Sequence, residues 1–151
     1  MQVKELGHAV LFVRDVAASA YFYREVLGFR QVMPAAGEPI EFGAMFSGGR
    51  THHELFLIGV GDGATPIPAG RRIGLYHLGF KVGDTDDELR EALADLQAAG
   101  VELVGASDHD VTHSLYLHDP DGNEIELYVD VPGADWDDIA RLGARPKPLR
   151  L

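Results

Sequence analysis

Leu6-Gly7-His8-Ala9-Val10-Leu11-Phe12-Val13-Arg14-Asp15 is answered 69 positions later by Leu75-Tyr76-His77-Leu78-Gly79-Phe80-Lys81-Val82-Gly83-Asp84. Leu, His, Val and Asp recur at equivalent places in the two runs. Self-similarity of this kind marks a structural unit used twice. Each copy is rich in apolar and β-branched residues and closes on an aspartate, the pattern of a strand that leads into a helix cap.

The flanking residues extend the repeat. Residues 16–27 carry Ala20, Tyr23, Val26 and Leu27 at helical spacing and stop at Gly28. Residues 88–99 do the same with Leu89, Leu93 and Leu96 and stop at Gly100. Short extended runs follow at 29–33 and 101–104, and Asp15 and Asp84 are placed to cap or precede the helices. The last strands are read at His53-Glu54-Leu55-Phe56-Leu57 and Ile125-Glu126-Leu127-Tyr128-Val129, which sets Glu54 opposite Glu126 at a spacing of 72. Gly28 and Gly100 share that spacing, so the three extra residues fall in or near the second helix. The expected fold class is therefore α+β, with two tandem βαβββ modules at about 1–60 and 73–131. Glycines and prolines at 59–72 make a connector, and Asp119-Pro120-Asp121-Gly122-Asn123 reads as a turn between the last two strands. Beyond the 1–131 domain, residues 132–151 are expected to form a short helix over 134–142, using Trp136, Ile139 and Leu142, and a loosely held tail.

The totals narrow the function. A chain of 151 residues fits one domain, and its net charge of −11 repels nucleic acid and anionic lipid. No apolar run reaches the roughly 18 residues of a membrane span. Lys4 and Glu5 stand where a signal peptide would begin its apolar core, so a cytoplasmic location is expected. With no cysteine, any bound metal must take nitrogen and oxygen ligands.

Two histidines at matched positions of a duplicated unit, His8 and His77, are candidate ligands, because pseudo-twofold packing would bring equivalent strands together. Glu126 lies among the apolar Ile125, Leu127 and Tyr128, where a carboxylate needs a cation or hydrogen-bond donors to offset desolvation. Two imidazoles and one carboxylate on one face of an iron or manganese ion leave three positions open for substrate and oxygen.

Over about residues 5–131 the chain resembles the vicinal oxygen chelate superfamily, which includes glyoxalase I, methylmalonyl-CoA epimerase, bleomycin-resistance proteins and extradiol ring-cleaving dioxygenases. The resemblance is carried by His8 ahead of Phe22-Tyr23-Arg24-Glu25-Val26-Leu27-Gly28-Phe29, then by His77, then by 119–127 ending in Glu126-Leu127. It implies paired modules forming one cupped mixed sheet around a metal site, with ligands from the first and last strands. Within the superfamily the chain is most similar to single-domain catechol-type extradiol dioxygenases, through Gly74-Leu75-Tyr76-His77, through 105–112 with His109, and through Tyr116 ten residues before Glu126. Those enzymes carry an acid–base histidine in a His-His-x-Leu context, which here is His52-His53-Glu54-Leu55 and points to His53.

What the resemblance implies is an Fe(II) cofactor on His8, His77 and Glu126, chelated by an aromatic diol while O2 takes a remaining position. His53 would move the diol proton, Tyr116 would donate to a substrate oxygen, and His109 would assist the oxygen-derived anion. His113 and His118 are read as structural or exposed. Residues 40–46 and the C-terminal segment are expected to wall the pocket. A homodimer is expected by analogy with single-pair relatives.

Two other readings stay open. Adjacent strand residues point to opposite faces, so His53 and Glu54 compete for one pocket. Glu54 would complete a glyoxalase I-like set of His8, Glu54, His77 and Glu126 for a Ni(II), Zn(II) or Co(II) isomerase, with Mn(II) an alternative to iron in the dioxygenase. The third reading is a metal-free, drug-binding protein of the bleomycin-resistance kind.

Overall fold

A computed structural model of the chain describes residues 1–35, 37–135 and 137–151. They form two compact units, Met1–Ile67 and Pro68–Leu151, divided within the connector 59–72. No helix among the described residues is long and apolar enough to cross a membrane.

The first unit runs β1 (Ala9–Val13), α1 (Val16–Tyr21), β2 (Arg30–Met33), β3 (Gly43–Ser47) and β4 (Leu55–Gly59). Its sheet order is β1-β4-β3-β2, with β1 parallel to β4 and the other pairs antiparallel. Period-two alternation decides the faces: Leu11, Val13, Leu55 and Leu57 are buried while Val10 and Phe12 stay exposed. The Asp15 carboxylate caps α1, accepting from the N–H groups of Ala17 at 2.9 Å and Ala18 at 3.1 Å. The helix then widens into a π-helical turn, Phe22–Val26, closed by Leu27 N–H to the Phe22 carbonyl at 3.1 Å. Phe22 and Tyr23 are both buried there, with the Tyr23 ring 6.2 Å from that of Phe46. Gly28 follows at φ 74°, as the helix stop requires.

The second unit runs β5 (His77–Gly83), α2 (Asp86–Ala98), β6 (Leu103–Asp108), β7 (Thr112–His118), β8 (Glu124–Asp130), α3 (Ile139–Leu142) and β9 (Lys147–Pro148). Its order is β5-β8-β7-β6-β9, with β5 parallel to β8 and the others antiparallel. The residue that caps α2 is Thr85 rather than Asp84. Its hydroxyl accepts from Glu88 N–H, and the Glu88 carboxylate takes the Asp84 N–H and the Thr85 hydroxyl, both at 2.8 Å. Leu89 and Leu96 of α2 are buried, as are Leu115, Leu117, Ile125, Leu127 and Val129 of the sheet. Burying a Leu or Ile side chain is worth about 1.5–3 kcal/mol. An unpaired carboxylate turned the same way would cost several. The alternation of β8 therefore puts Glu124, Glu126, Tyr128 and Asp130 together on the opposite face.

The two βαβββ modules are present, and the strands expected in one mixed sheet are hydrogen-bonded as two, one per module. The stretch 105–112 is strand as far as Asp108. The tail is held rather than loose. β9 pairs with the edge of β6 (Ser107 with Pro148, Asp108 with Lys147), and the Lys147 ammonium meets the Asp110 carboxylate. Of the helix expected over 134–142, Ile139–Leu142 is helical and Trp136 lies outside the described residues.

Candidate functional site

The outward face of β8 carries a continuous line of polar contacts in the second unit. Glu126 pairs with Tyr116 across β7 and with Gly79 across β5. Its Oε2 lies 3.1 Å from His77 Nε2, and its Oε1 accepts from the Tyr116 hydroxyl at 2.9 Å. The Tyr116 oxygen is in turn 2.7 Å from His109 Nε2. Since the tyrosine proton is committed to Glu126, the hydrogen of this last bond belongs to His109, which fixes that ring in its Nε2–H form. Burial, and then the bond to Glu126, push the Tyr116 pKa upward. The phenol is held as a donor.

His77 and Glu126 suit a divalent metal. Two donors about 2.1 Å from one ion at a right angle stand about 3 Å apart, which is the spacing of this imidazole nitrogen and carboxylate oxygen. The other ring nitrogen, Nδ1, is buried without a hydrogen-bond partner, with Glu124 Oε1 at 3.5 Å. A ligating histidine usually donates that N–H to a carboxylate, and Glu124 is in place to receive it after a small movement. Gly79 leaves the space beside Glu126 clear, because a Cβ there would sit 3.4 Å from Glu126 Oε2 and 3.6 Å from the Tyr128 ring.

In the first unit, His8 precedes β1, and its ring centroid is 4.6 Å from that of His53. His53 Nδ1 is 2.6 Å from His52 Nδ1, a contact that needs the two rings in different tautomers. The His53 pKa is lowered, chiefly by burial and then by His52 and His8. Glu54 is engaged elsewhere. Its carboxylate accepts from Gly48 N–H and Thr51 N–H, each at 2.8 Å, with Arg50 Nε at 3.8 Å. Burial opposes its ionisation, but these donors outweigh it and leave the pKa lowered.

Four of the expected site residues, His77, Glu126, Tyr116 and His109, are thus brought together in the second unit, and two, His8 and His53, in the first. Within either unit, no three His, Asp or Glu side chains among the described residues gather as a ligand set. The expected ligands are divided, with His8 in one unit and His77 and Glu126 in the other. His113 ties α2 to the sheet through Asp86, 2.6 Å from its Nδ1, and His118 is exposed. Glu124 and Gly79 are the residues that sequence reasoning passed over. Glu124 was reachable, since two residues before Glu126 on a strand means the same face.

The chain matches the model of the Glyoxalase/Bleomycin resistance protein/Dioxygenase superfamily over residues 5–127. It is 37% identical over 131 residues to catechol-2,3-dioxygenase of Bacillus subtilis, covering 87% of this chain and 43% of that one. To biphenyl-2,3-diol 1,2-dioxygenase 3 of Rhodococcus globerulus it is 32% identical over 127 residues, covering 83% and 63%. The chain thus spans less than two thirds of either relative. A solved glyoxalase/dioxygenase from Nostoc punctiforme superposes with a TM-score of 0.69 at 25% identity, covering 85% of this chain and 92% of that one. With the family model spanning both modules, the chain belongs to the glyoxalase/bleomycin resistance protein/dioxygenase superfamily.

Proposed function

We propose that this chain is an Fe(II)-dependent extradiol dioxygenase that opens the ring of a catechol-type diol with O2. The observation that carries the reading is the chain of contacts His109–Tyr116–Glu126–His77, which ends on two metal-ligand side chains and begins on proton-bearing groups. Neither an isomerase working through a metal-bound water nor a metal-free binding protein has need of that phenol and imidazole. The names of the two dioxygenase relatives support the same choice.

In this reading His8, His77 and Glu126 hold the ion, and Glu124 orients His77. Fe(II) there would supply Lewis acidity to both diol oxygens and electrons to O2. Tyr116, kept protonated, turns its O–H from Glu126 to a substrate oxygen when that carboxylate is taken up as a ligand. His109 holds the phenol in place through its Nε2–H, and that same N–H turns to developing negative charge once the phenol has moved to the substrate. His53, beside His8, takes the diol proton and returns it to the product. Glu54 is passed over because both its oxygens already serve the β3–β4 loop, which speaks against the two-His, two-Glu isomerase.

The test is anaerobic loading with Fe(II), then O2 and a panel of catechols, watched for a yellow ring-opened product. Turnover of a hemithioacetal with Ni(II) or Zn(II), and none of any diol, would overturn the proposal.

A further inference from the structure

The two histidines of the repeated strand are held by different means. His77 opens β5 and pairs with Glu124 inside the sheet ladder. His8 stands one residue ahead of β1, whose ladder begins with Ala9 opposite Leu55. Residues 1–6 and His8 itself are exposed, so burial does nothing to fix this stretch. Ordering an exposed segment costs conformational entropy that another contact must offset.

That contact comes from Arg50, in the β3–β4 loop. One guanidinium nitrogen, Nη2, donates to the Leu6 carbonyl at 3.0 Å and to the Gly7 carbonyl at 2.9 Å, and Nη1 meets Glu5 Oε2 at 3.1 Å. Glu5 is 65% exposed, so its ion pair is the weak part of this grip. The bonds to the two backbone carbonyls are charge-assisted and fix the path of the chain as it reaches His8. On the other side of His8, Ala9 N–H donates to the Glu54 carbonyl at 2.9 Å. One loop thus pins the backbone on both flanks of the histidine. The loop has its own anchor in the buried Ser47, whose hydroxyl donates to the Thr51 carbonyl at 2.8 Å and accepts from Gly49 N–H at 3.0 Å. The Glu54 carboxylate, 3.8 Å from Arg50 Nε, is too far for a hydrogen bond to the guanidinium.

We propose that Arg50 is a positioning residue for His8, holding the Leu6 and Gly7 carbonyls so that the imidazole is presented as a metal ligand beside His53. The proposal rests on the ligand set given above. Its sign is distinctive. A guanidinium is a cation and repels a metal ion, so if charge were its only influence, removing it would tighten metal binding. Positioning acts the other way, because a ligand held in place beforehand loses less freedom when the ion binds.

The experiment measures Fe(II) affinity by anaerobic competition with a chelator, with no diol present. Arg50→Ala should bind the ion about tenfold more weakly, the low end of what is lost with groups that orient a ligand. Arg50→Lys keeps the charge without the planar fork and should fall with it. In a His8→Ala background Arg50→Ala should have no further effect, since the imidazole it acts through is gone. In the metal-free protein the melting temperature should hold while amide exchange at Ala9 accelerates. An Arg50→Ala affinity that is unchanged or tighter, an Arg50→Lys equal to the wild type, or a loss that persists in full without His8 overturns the proposal and leaves the ligand set standing. A His8→Ala protein that binds Fe(II) as the wild type does overturns the ligand set, and the proposal with it.

Discussion

The two modules share one topology and differ at one decisive place. In the first, Leu55 pairs with Ala9, the residue after His8; in the second, Ile125 pairs with Leu78, the residue after His77. By strand register, Glu54 therefore corresponds to Glu124, and the counterpart of Glu126 is Phe56, which pairs with Val10 as Glu126 pairs with Gly79. The first module thus keeps a histidine and puts an aromatic side chain where the second has its carboxylate. Its one nearby glutamate has turned to hold a loop. Duplication has preserved the alternation that builds each sheet, while a single outward position separates a module with one candidate ligand from a module with two.

The sharpest way to break this comparison is to remove Glu126. Glu126→Ala should lower metal affinity by more than the 10–100-fold that is typical when only a supporting group is lost. It should also leave the fold intact, since the side chain points away from Leu115, Leu117 and Ile125. Bound metal measured after dialysis, together with a melting curve, checks both. Phe56→Ala should leave metal content unchanged. If it released as much metal as Glu126→Ala, the register argument would be wrong.

Glu54→Ala should reverse that pattern. It removes two hydrogen bonds to a carboxylate, and bonds to a charged group are worth about 1.5–3 kcal/mol each before solvent exposure is discounted. The variant should lose about 1.5–3 kcal/mol in denaturant unfolding while its bound metal stays at the wild-type level. The difference should also depend on pH. The folded-state pKa of Glu54 is lowered from 4.5, so its stabilisation is fully present above that value and is lost as pH falls through the lowered one. Wild type and variant should converge in stability in acid below about pH 4.5. Loss of metal in Glu54→Ala would instead return the glutamate to the ligand set.

Tyr116→Phe acts on the second module alone. It cuts the link between His109 and Glu126 and leaves both ligand side chains in place, so turnover should fall about tenfold, near the worth of one hydrogen bond, with metal retained. Because the phenol pKa is raised, Tyr116 stays protonated above the usual tyrosine range. An alkaline limb of the wild-type rate profile should therefore survive in Tyr116→Phe. A limb that vanished with the substitution would assign the titration to Tyr116 and contradict the hydrogen bond to Glu126.

Much of this was legible in the chain. The repeated strand around His8 and His77 gave the two modules, Asp15 and Gly28 bounded the first helix, and alternation around Glu126 placed its carboxylate opposite the buried Ile125 and Leu127. The match of Glu54 to Glu126 failed for a specific reason. A shift of two residues leaves every side chain on its own face, so hydrophobic alternation cannot distinguish the true register, and the letters Glu-Leu recur at the wrong place. The π-helical turn was hidden because Tyr23, Val26 and Leu27 also satisfy an ordinary helical spacing. Pairing of β9 was hidden because Lys147 and Pro148 carry no strand pattern, and what holds them is an edge of β6 and an aspartate far away in sequence.

The smallest expected effect lies at that edge. Lys147→Ala removes an exposed ion pair, a type that contributes little to global stability, so the melting temperature should not move measurably. The local effect should be visible all the same, because the segment is fastened at few points and Leu149 N–H makes only a long bond to Ala106. Amide exchange at Leu149 should therefore accelerate in the variant, while exchange at Tyr116 and Leu127, inside the β7–β8 ladder, stays as it was.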